Sequence, residues 1–198
     1  MSMSIFDTVY QNTPPWEIGR PQKAFVDLAA AGEVTGSVLD VGCGTGDHAL
    51  YFAEEGHEVL GIDTAALAIQ KAEEKAAARG LRAQFLVWNA LDLAGLERTF
   101  DTVIDSGFFH VLSDEDRSVF RESLAAALAP GGKYLMLCFS DQNPGDYPLP
   151  RRIREREIRE TFLDGWRINS IRPAVFENAI QPEGHHAWLA SISRAGRG

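Results

Sequence analysis

One nine-residue stretch constrains this chain more than any other: Val38-Leu39-Asp40-Val41-Gly42-Cys43-Gly44-Thr45-Gly46. Val38, Leu39 and Val41 are apolar and partly β-branched, the pattern of a short strand buried on both faces. Gly42, Gly44 and Gly46 then allow backbone angles that side chains forbid and let a ligand approach the main chain. A helical pattern starts at about Asp47, so its free N–H groups and positive end face the turn and favour a carboxylate or phosphate. Asp40 adds an acceptor for a cation. A turn that holds a carboxylate and an ammonium together suits the amino-acid end of a ligand.

The rest of the chain repeats this strand-then-helix grammar. Pro21 to Ala31 has helical spacing, with Pro21 suited to a first turn and Gly32 closing it. Ala49 to Glu55 completes the helix after the glycine turn, and His57 to Asp63 is a second strand. Ala65 to Arg79 is rich in strong helix formers and stops at Gly80. Arg82 to Trp88 alternates as a third strand, and Phe100 to Asp105 is a fourth that exits through Ser106-Gly107-Phe108-Phe109-His110. A helix opened by Ser113 and three acids runs to about Ala129, Pro130-Gly131-Gly132 turns, and Lys133 to Phe139 is a fifth strand. Asp141 to Pro150 reads as a loop on the ligand side, and 151–163 as a helix. Gly165 to Glu177 and Ala187 to Arg194 are joined closely enough for an antiparallel pair. The expected fold is α/β, a Rossmann-like three-layer sandwich on a seven-stranded, mostly parallel sheet with an antiparallel terminal pair. The expected organisation is one domain over 1–198, with residues 1–20 an N-terminal arm and 21–198 the core.

Composition narrows the function. A chain of 198 residues, 45% hydrophobic, can bury a sizeable core, and no apolar run is long enough to span a bilayer. The net charge of −9 argues against a nucleic-acid track. The basic run Arg151 to Arg159 carries glutamates at helical spacing, which suits a salt-bridged solvated face. Cys43 and Cys138 give no disulfide framework, and the start of the chain lacks the order of a signal peptide, so a reducing cytoplasm fits. His185 and His186 are adjacent on a strand, point to opposite faces and have no carboxylate or cysteine cluster beside them, so no metal is expected.

The spacing Asp-x-Gly-x-Gly-x-Gly is not the Gly-x-Gly-x-x-Gly pattern of pyrophosphate binders. It resembles the first motif of the class I S-adenosylmethionine-dependent methyltransferases. Leu128-Ala129-Pro130-Gly131-Gly132 is similar to that family's Leu-x-Pro-Gly-Gly, and the fourth-strand exit to its fourth motif. Pro14-Pro15-Trp16-Glu17-Ile18-Gly19-Arg20-Pro21-Gln22 resembles the segment before the first strand in thiopurine and thiol methyltransferases, and in bacterial relatives acting on quinone-derived and heterocyclic aromatic hydroxyls. The resemblance implies methyl transfer from S-adenosylmethionine, leaving S-adenosylhomocysteine. Residues 1–20, with Phe6, Tyr10, Pro14, Pro15 and Trp16, read from their composition as an arm folding over the pocket mouth or one simply packed on the domain surface. The resemblance implies that Trp16, Gln22 and more weakly Tyr10 lie over the cofactor, and that Asp40, Gly42, Cys43, Gly44, Thr45 and Gly46 cradle its amino-acid end.

Asp63, seventeen residues past Gly46, ends the second strand where a carboxylate can accept two ribose hydroxyls, with Thr64 left to cap the next helix. In Asn89-Ala90-Leu91 the family's usual acid is Asn89, whose amide oxygen can accept from adenine without charge assistance; Asp92 could substitute. Ser106 and Phe109 are expected to line the cofactor pocket. His110 is the candidate general base or substrate contact, set against a structural histidine. A small aromatic hydroxyl is the leading acceptor, a thiol the next. The alternatives are a protein or RNA methyltransferase and a non-catalytic S-adenosylmethionine-binding protein. The expected partners are a small-molecule acceptor, no nucleic acid and no membrane, with the chain a monomer or weak homodimer.

Overall fold

A computed structural model describes residues 8–145 and 150–195. Phe6 of the arm and residues 146–149 of the loop after the fifth strand lie outside this description. The elements in chain order are α1 (Lys23–Ala30), β1 (Val38–Val41), α2 (Asp47–Glu54), β2 (Val59–Asp63), α3 (Ala66–Arg79), β3 (Gln84–Val87), a 3-10 segment (Ala90–Leu96), β4 (Phe100–Ser106), a 3-10 turn (Phe109–Val111), α4 (Asp114–Ala127), β5 (Leu128–Phe139), α5 (Glu155–Thr161), β6 (Trp166–Phe176) and β7 (His185–Arg194).

The seven strands form one sheet in the order β3-β2-β1-β4-β5-β7-β6. β1 pairs parallel with β2 and β4, β2 with β3 and β4 with β5, whereas β7 runs antiparallel to both β5 and β6. All four β1 residues are buried. Alternation sends Leu39 and Val41 into the core beneath α4 and α5, with Phe120, Leu124, Ile158 and Tyr134. Val38 faces the other core, with Phe25, Leu28, Leu50, Phe52 and Ile69 from α1, α2 and α3. The expected three-layer fold with its reversed terminal pair is present. Between β1 and β4 the strand order reverses direction, and at such a point loops leave a crevice at the carboxyl ends of the strands.

Several boundaries differ from expectation. β5 begins at Leu128 because Leu128 pairs with Phe100 before the register shifts to Lys133 opposite Thr102. Pro130-Gly131-Gly132 is thus an irregularity inside the strand, with Gly131 at φ +80°. α5 spans Glu155–Thr161 only, because Ile153 is drawn beside the sheet: its N–H donates to the Phe139 carbonyl at 2.9 Å and its carbonyl accepts Trp188 Nε1 at 2.9 Å. The basic run is salt-bridged as expected, with Arg159–Glu155 at 2.6 Å and Arg156–Glu160 at 3.4 Å. His185 belongs to β7 and pairs with Phe176. No helix among the described residues is long and apolar enough to cross a membrane, and no group of three His, Cys, Asp or Glu among them could hold a metal ion.

Candidate active site

The glycine turn is built as its sequence demands. Gly42, Gly44 and Gly46 have φ of +65°, +54° and +83°, and a side chain on Gly46 would put its Cβ 2.8 Å from the Phe85 ring. The turn is tied to β2 where the Cys43 N–H donates to the Ile62 carbonyl at 2.9 Å. Asp40 is buried and accepts a hydrogen bond from the Ala49 backbone, but its Oδ2 has no partner. Burial, and the nearby Asp105 carboxyl, hold its pKa well above the usual carboxylate range. An unmet buried acceptor beside a helix start is a place where a ligand's ammonium would be stabilised.

Asp63 ties this turn to the next helix. Its Oδ2 accepts the Gly44 N–H at 3.0 Å and its Oδ1 the Ala65 N–H at 2.8 Å. The expectation that Thr64 takes the cap is therefore corrected: Asp63 meets the start of α3 itself.

The arm crosses the turn. Tyr10 is buried against Ala65 and Ala68, and accepts Trp16 Nε1 on its hydroxyl at 3.2 Å; the Trp16 ring is 41% exposed. A Cβ on Gly44 would lie 2.6 Å from the Tyr10 hydroxyl and 3.0 Å from Glu17 Oε1. Burial and the Asp63 charge push the Tyr10 phenol up, so it remains neutral. Glu17 went unnoticed in the sequence. Its carboxylate accepts the Thr45 hydroxyl and, at 3.4 Å, the Thr45 N–H. Lys75 donates to Thr45 Oγ1 at 2.5 Å and pairs with Asp47 at 2.7 Å. A side chain of the protein thus holds the position where a ligand's carboxylate was expected. The signal was the one acid within Pro15-Trp16-Glu17-Ile18, one arm's reach from a helix N-terminus.

Gln22 does not join this group. It is buried, donates through Nε2 to the Glu177 carbonyl at 2.8 Å and accepts the Glu177 N–H on Oε1 at 2.8 Å. Both ends of its amide are spent fastening α1 to the end of β6, which corrects the cofactor contact expected of it.

After β3, Asn89 caps the 3-10 segment, its Oδ1 accepting the Leu91 N–H at 3.0 Å. Ala90 is buried, and its carbonyl accepts Ser123 Oγ at 2.8 Å. Leu91 is half-buried against the core. Asp92 offers its carbonyl to Trp88 Nε1 at 2.7 Å, while Asn89 and Asp92 are exposed.

The fourth-strand exit is governed by Asp105. This buried carboxyl accepts the Tyr134 hydroxyl at 2.7 Å and the N–H groups of Phe108 and Phe109 at 2.6 and 2.9 Å. Burial raises its pKa to about 7 against the pull of these donors. The turn it fixes puts Phe109 wholly inside, stacked on Phe162 at 6.2 Å and under the Arg117 guanidinium at 4.8 Å. Phe109 therefore lines no ligand pocket. Phe108, one residue earlier, is half-buried, packs edge-on against Phe120 at 5.1 Å, and has its Cβ 3.1 Å from where a Gly42 side chain would stand. Ser106 ends β4 half-buried.

His110 is 5% exposed, and its Nδ1 accepts the Phe139 N–H at 3.0 Å. Its ring packs on Phe139 at 4.8 Å and Phe176 at 5.8 Å, and Phe139 also meets His185 at 4.8 Å. Gly107, at φ +93°, leaves the space between: a Cβ there would sit 3.1 Å from Phe176 and 3.3 Å from His110 Cε1. Burial, and the Arg117 charge, lower the His110 pKa to about 3. A neutral imidazole whose Nδ1 already receives a proton donor carries its own hydrogen on Nε2, so it has no free lone pair. The general-base role is corrected on that ground.

The chain as a whole is similar to known proteins. Residues 38–132 match a family model described as a methyltransferase domain. The 2-heptyl-1-hydroxyquinolin-4(1H)-one methyltransferase of Mycobacteroides abscessus is 41% identical over 163 residues, 81% of this chain and 72% of that protein. A probable thiol methyltransferase of Arabidopsis thaliana is 26% identical over 72% of this chain and 65% of that one. A solved structure from work on the conversion of a disulfide bond into a thioacetal group during echinomycin biosynthesis superposes with a TM-score of 0.90, at 37% identity over 98% of this chain and 93% of that one. The magnesium protoporphyrin IX methyltransferase of Synechocystis, solved with S-adenosylmethionine bound, shares the fold at a TM-score of 0.66 and 23% identity, covering 87% and 77% of the two chains.

Proposed function

Because this chain belongs to the S-adenosylmethionine-dependent methyltransferases, we propose that its methyl acceptor is the hydroxyl of a small aromatic molecule bound beyond the end of β4. One observation carries this reading. The rings of His110 and Phe176 border Gly107, just past the end of β4, and Phe139 and His185 extend this aromatic cluster. Such a wall favours a flat apolar acceptor by stacking and by excluding water. The relative that methylates a hydroxyquinolone supports a hydroxyl. A thiol is the second reading, favoured by the thiol methyltransferase relative and the disulfide-converting structure.

The cofactor supplies a methyl group already activated on a sulfonium. The residues present fit it. Asp40 Oδ2 is the buried acceptor that an ammonium would satisfy. The Thr45 N–H and hydroxyl are the anion site, once Glu17 yields it. Asp63 is assigned the ribose hydroxyls, each carboxylate oxygen being able to accept more than one donor. Asn89, Ala90 and Leu91 form the ledge for the adenine, and Tyr10 and Trp16 its cover. Ser106 and Phe108 border the reacting atoms. The protein's work is then alignment and exclusion of water, which suffice for a displacement that needs no further activation.

Calorimetric titration with S-adenosylmethionine and S-adenosylhomocysteine, followed by mass analysis of reactions with 1-hydroxyquinolin-4-ones, substituted phenols and thiophenols, tests this. Binding with methylation on oxygen is the expected result. Binding of the cofactor without methylation of any of these compounds would overturn the acceptor.

A further inference from the structure

The imidazole of His110 is the buried polar group in the aromatic wall, and its bonding fixes what it can offer. Nδ1 is occupied by the Phe139 N–H. Cε1 faces Gly107. Nε2, which must carry the proton, makes no hydrogen bond among the described residues and is not one of the fully buried unpartnered atoms, so it stays within reach of a ligand although the residue is only 5% exposed. Such a donor is free to meet an acceptor atom of a ligand. The charge that acts on the ring is positive. Arg117 on α4 lies close enough to depress the imidazole's basicity. Its Nε and Nη2 have no partner, and only Nη1 reaches Glu157 at 3.0 Å and Asp114 at 3.4 Å. Arg151, whose N–H donates to the His110 carbonyl, has its guanidinium paired with Asp114. On β7, His185 meets only the far partner of the ring, Phe139, and Asp105 at the strand exit is saturated with donors. Burial is the larger cause of the imidazole's neutrality; the Arg117 charge adds to it, and that charge favours an anion beside the ring.

We propose that His110 acts as a hydrogen-bond donor to the acceptor through Nε2–H, and that the acceptor is bound and methylated as its conjugate base, an aromatic hydroxyl or thiol acidic enough to ionise near neutral pH. This rests on the methyl-transfer reading of the same pocket. The acceptor loses its proton to solvent before the step. Its oxygen or sulfur then forms a bond to the methyl carbon, the methyl–sulfonium bond breaks, and the sulfur keeps the electron pair. No protein group takes up a proton. Aliphatic alcohols are excluded as acceptors by their weak acidity.

Two measurements test this. In the first, kcat/KM is followed against pH for wild-type protein with phenols of graded acidity. The acidic limb should move with the acidity of each phenol, because it reports the free reactants; a limb fixed at one pH for all of them would restore a protein base and overturn the inference. In the second, 4-nitrophenol is titrated spectroscopically on the protein loaded with S-adenosylhomocysteine. Its ionisation should fall by about one pH unit relative to water, as for an anion accepting a hydrogen bond. In His110→Phe, shown to be folded and to bind S-adenosylhomocysteine as before, the shift should vanish and kcat should fall about tenfold or more. A retained shift in that variant, or no shift in the wild type, would overturn the inference. Failure of the wild type to bind S-adenosylhomocysteine would instead remove the reading beneath it.

Discussion

Asp63 carries two loads, a frame and a proposed ligand contact, and they can be separated experimentally. Its carboxylate holds the Gly44 and Ala65 N–H groups, so Asp63→Ala should both loosen the turn and remove the ribose acceptors. Calorimetry should show S-adenosylhomocysteine binding weakened about tenfold to a hundredfold, the scale of hydrogen bonds to a charged group. Gln22 is the contrasting case. Gln22→Ala breaks the paired bonds to Glu177 and should cost about 1–3 kcal/mol in denaturant unfolding, while cofactor affinity changes little. At this scale the sequence spoke through residue type alone. Gly42, Gly44 and Gly46 were legible because only their backbone freedom matters. Gln22, Phe109 and His110 were not, since an amide, a ring or an imidazole looks the same whether it meets a ligand or another strand. The difference between Phe108 and Phe109 lies in the tight turn that Asp105 imposes, which no periodicity reports.

Among the elements, the arm and α2 form the least independent pair. The start of α2 needs an anion, and Glu17 of the arm provides one through Thr45. A ligand carboxylate taking the site proposed for it would displace Glu17. Glu17→Gln should therefore tighten S-adenosylmethionine binding severalfold in calorimetry; weaker binding would mean that Glu17 touches the ligand directly. The arm is also held at Pro15, whose carbonyl accepts the Ala179 N–H at 2.8 Å, and at Arg20, paired with Glu177 at 2.8 Å. Strands and helices of the core were legible from alternation and helical spacing, because each is long enough to average over its neighbours. The shift inside β5 and the shortened α5 were not, for both are decided by partners distant in sequence, Phe100 and the β7 residue Trp188.

For the molecule as a whole, burial of titratable groups makes stability depend on pH in opposing ways. His48 and His110 are held down to about 4 and about 3 against an ordinary value of 6.5. As pH falls below 6.5 the unfolded imidazoles take up protons that the folded ones refuse, so stability is lost in that direction. Asp105 does the reverse: its folded carboxyl keeps a proton up to about pH 7, so its burial costs more as pH rises from about 4 to 7. Comparing wild type with His110→Phe isolates one contribution. The wild type's unfolding free energy minus the variant's should climb from pH 4 to 6.5 and stay level above, as read from urea melts. The sheet itself has a longer consequence. The proposed cofactor contacts come mainly from the arm and the elements through β3, whereas Phe139, Phe176 and His185 all follow residue 132, where the match to the family model stops. Substitutions at Phe139, Phe176 or His185 should therefore change which acceptor is methylated while leaving the affinity for S-adenosylhomocysteine as it was.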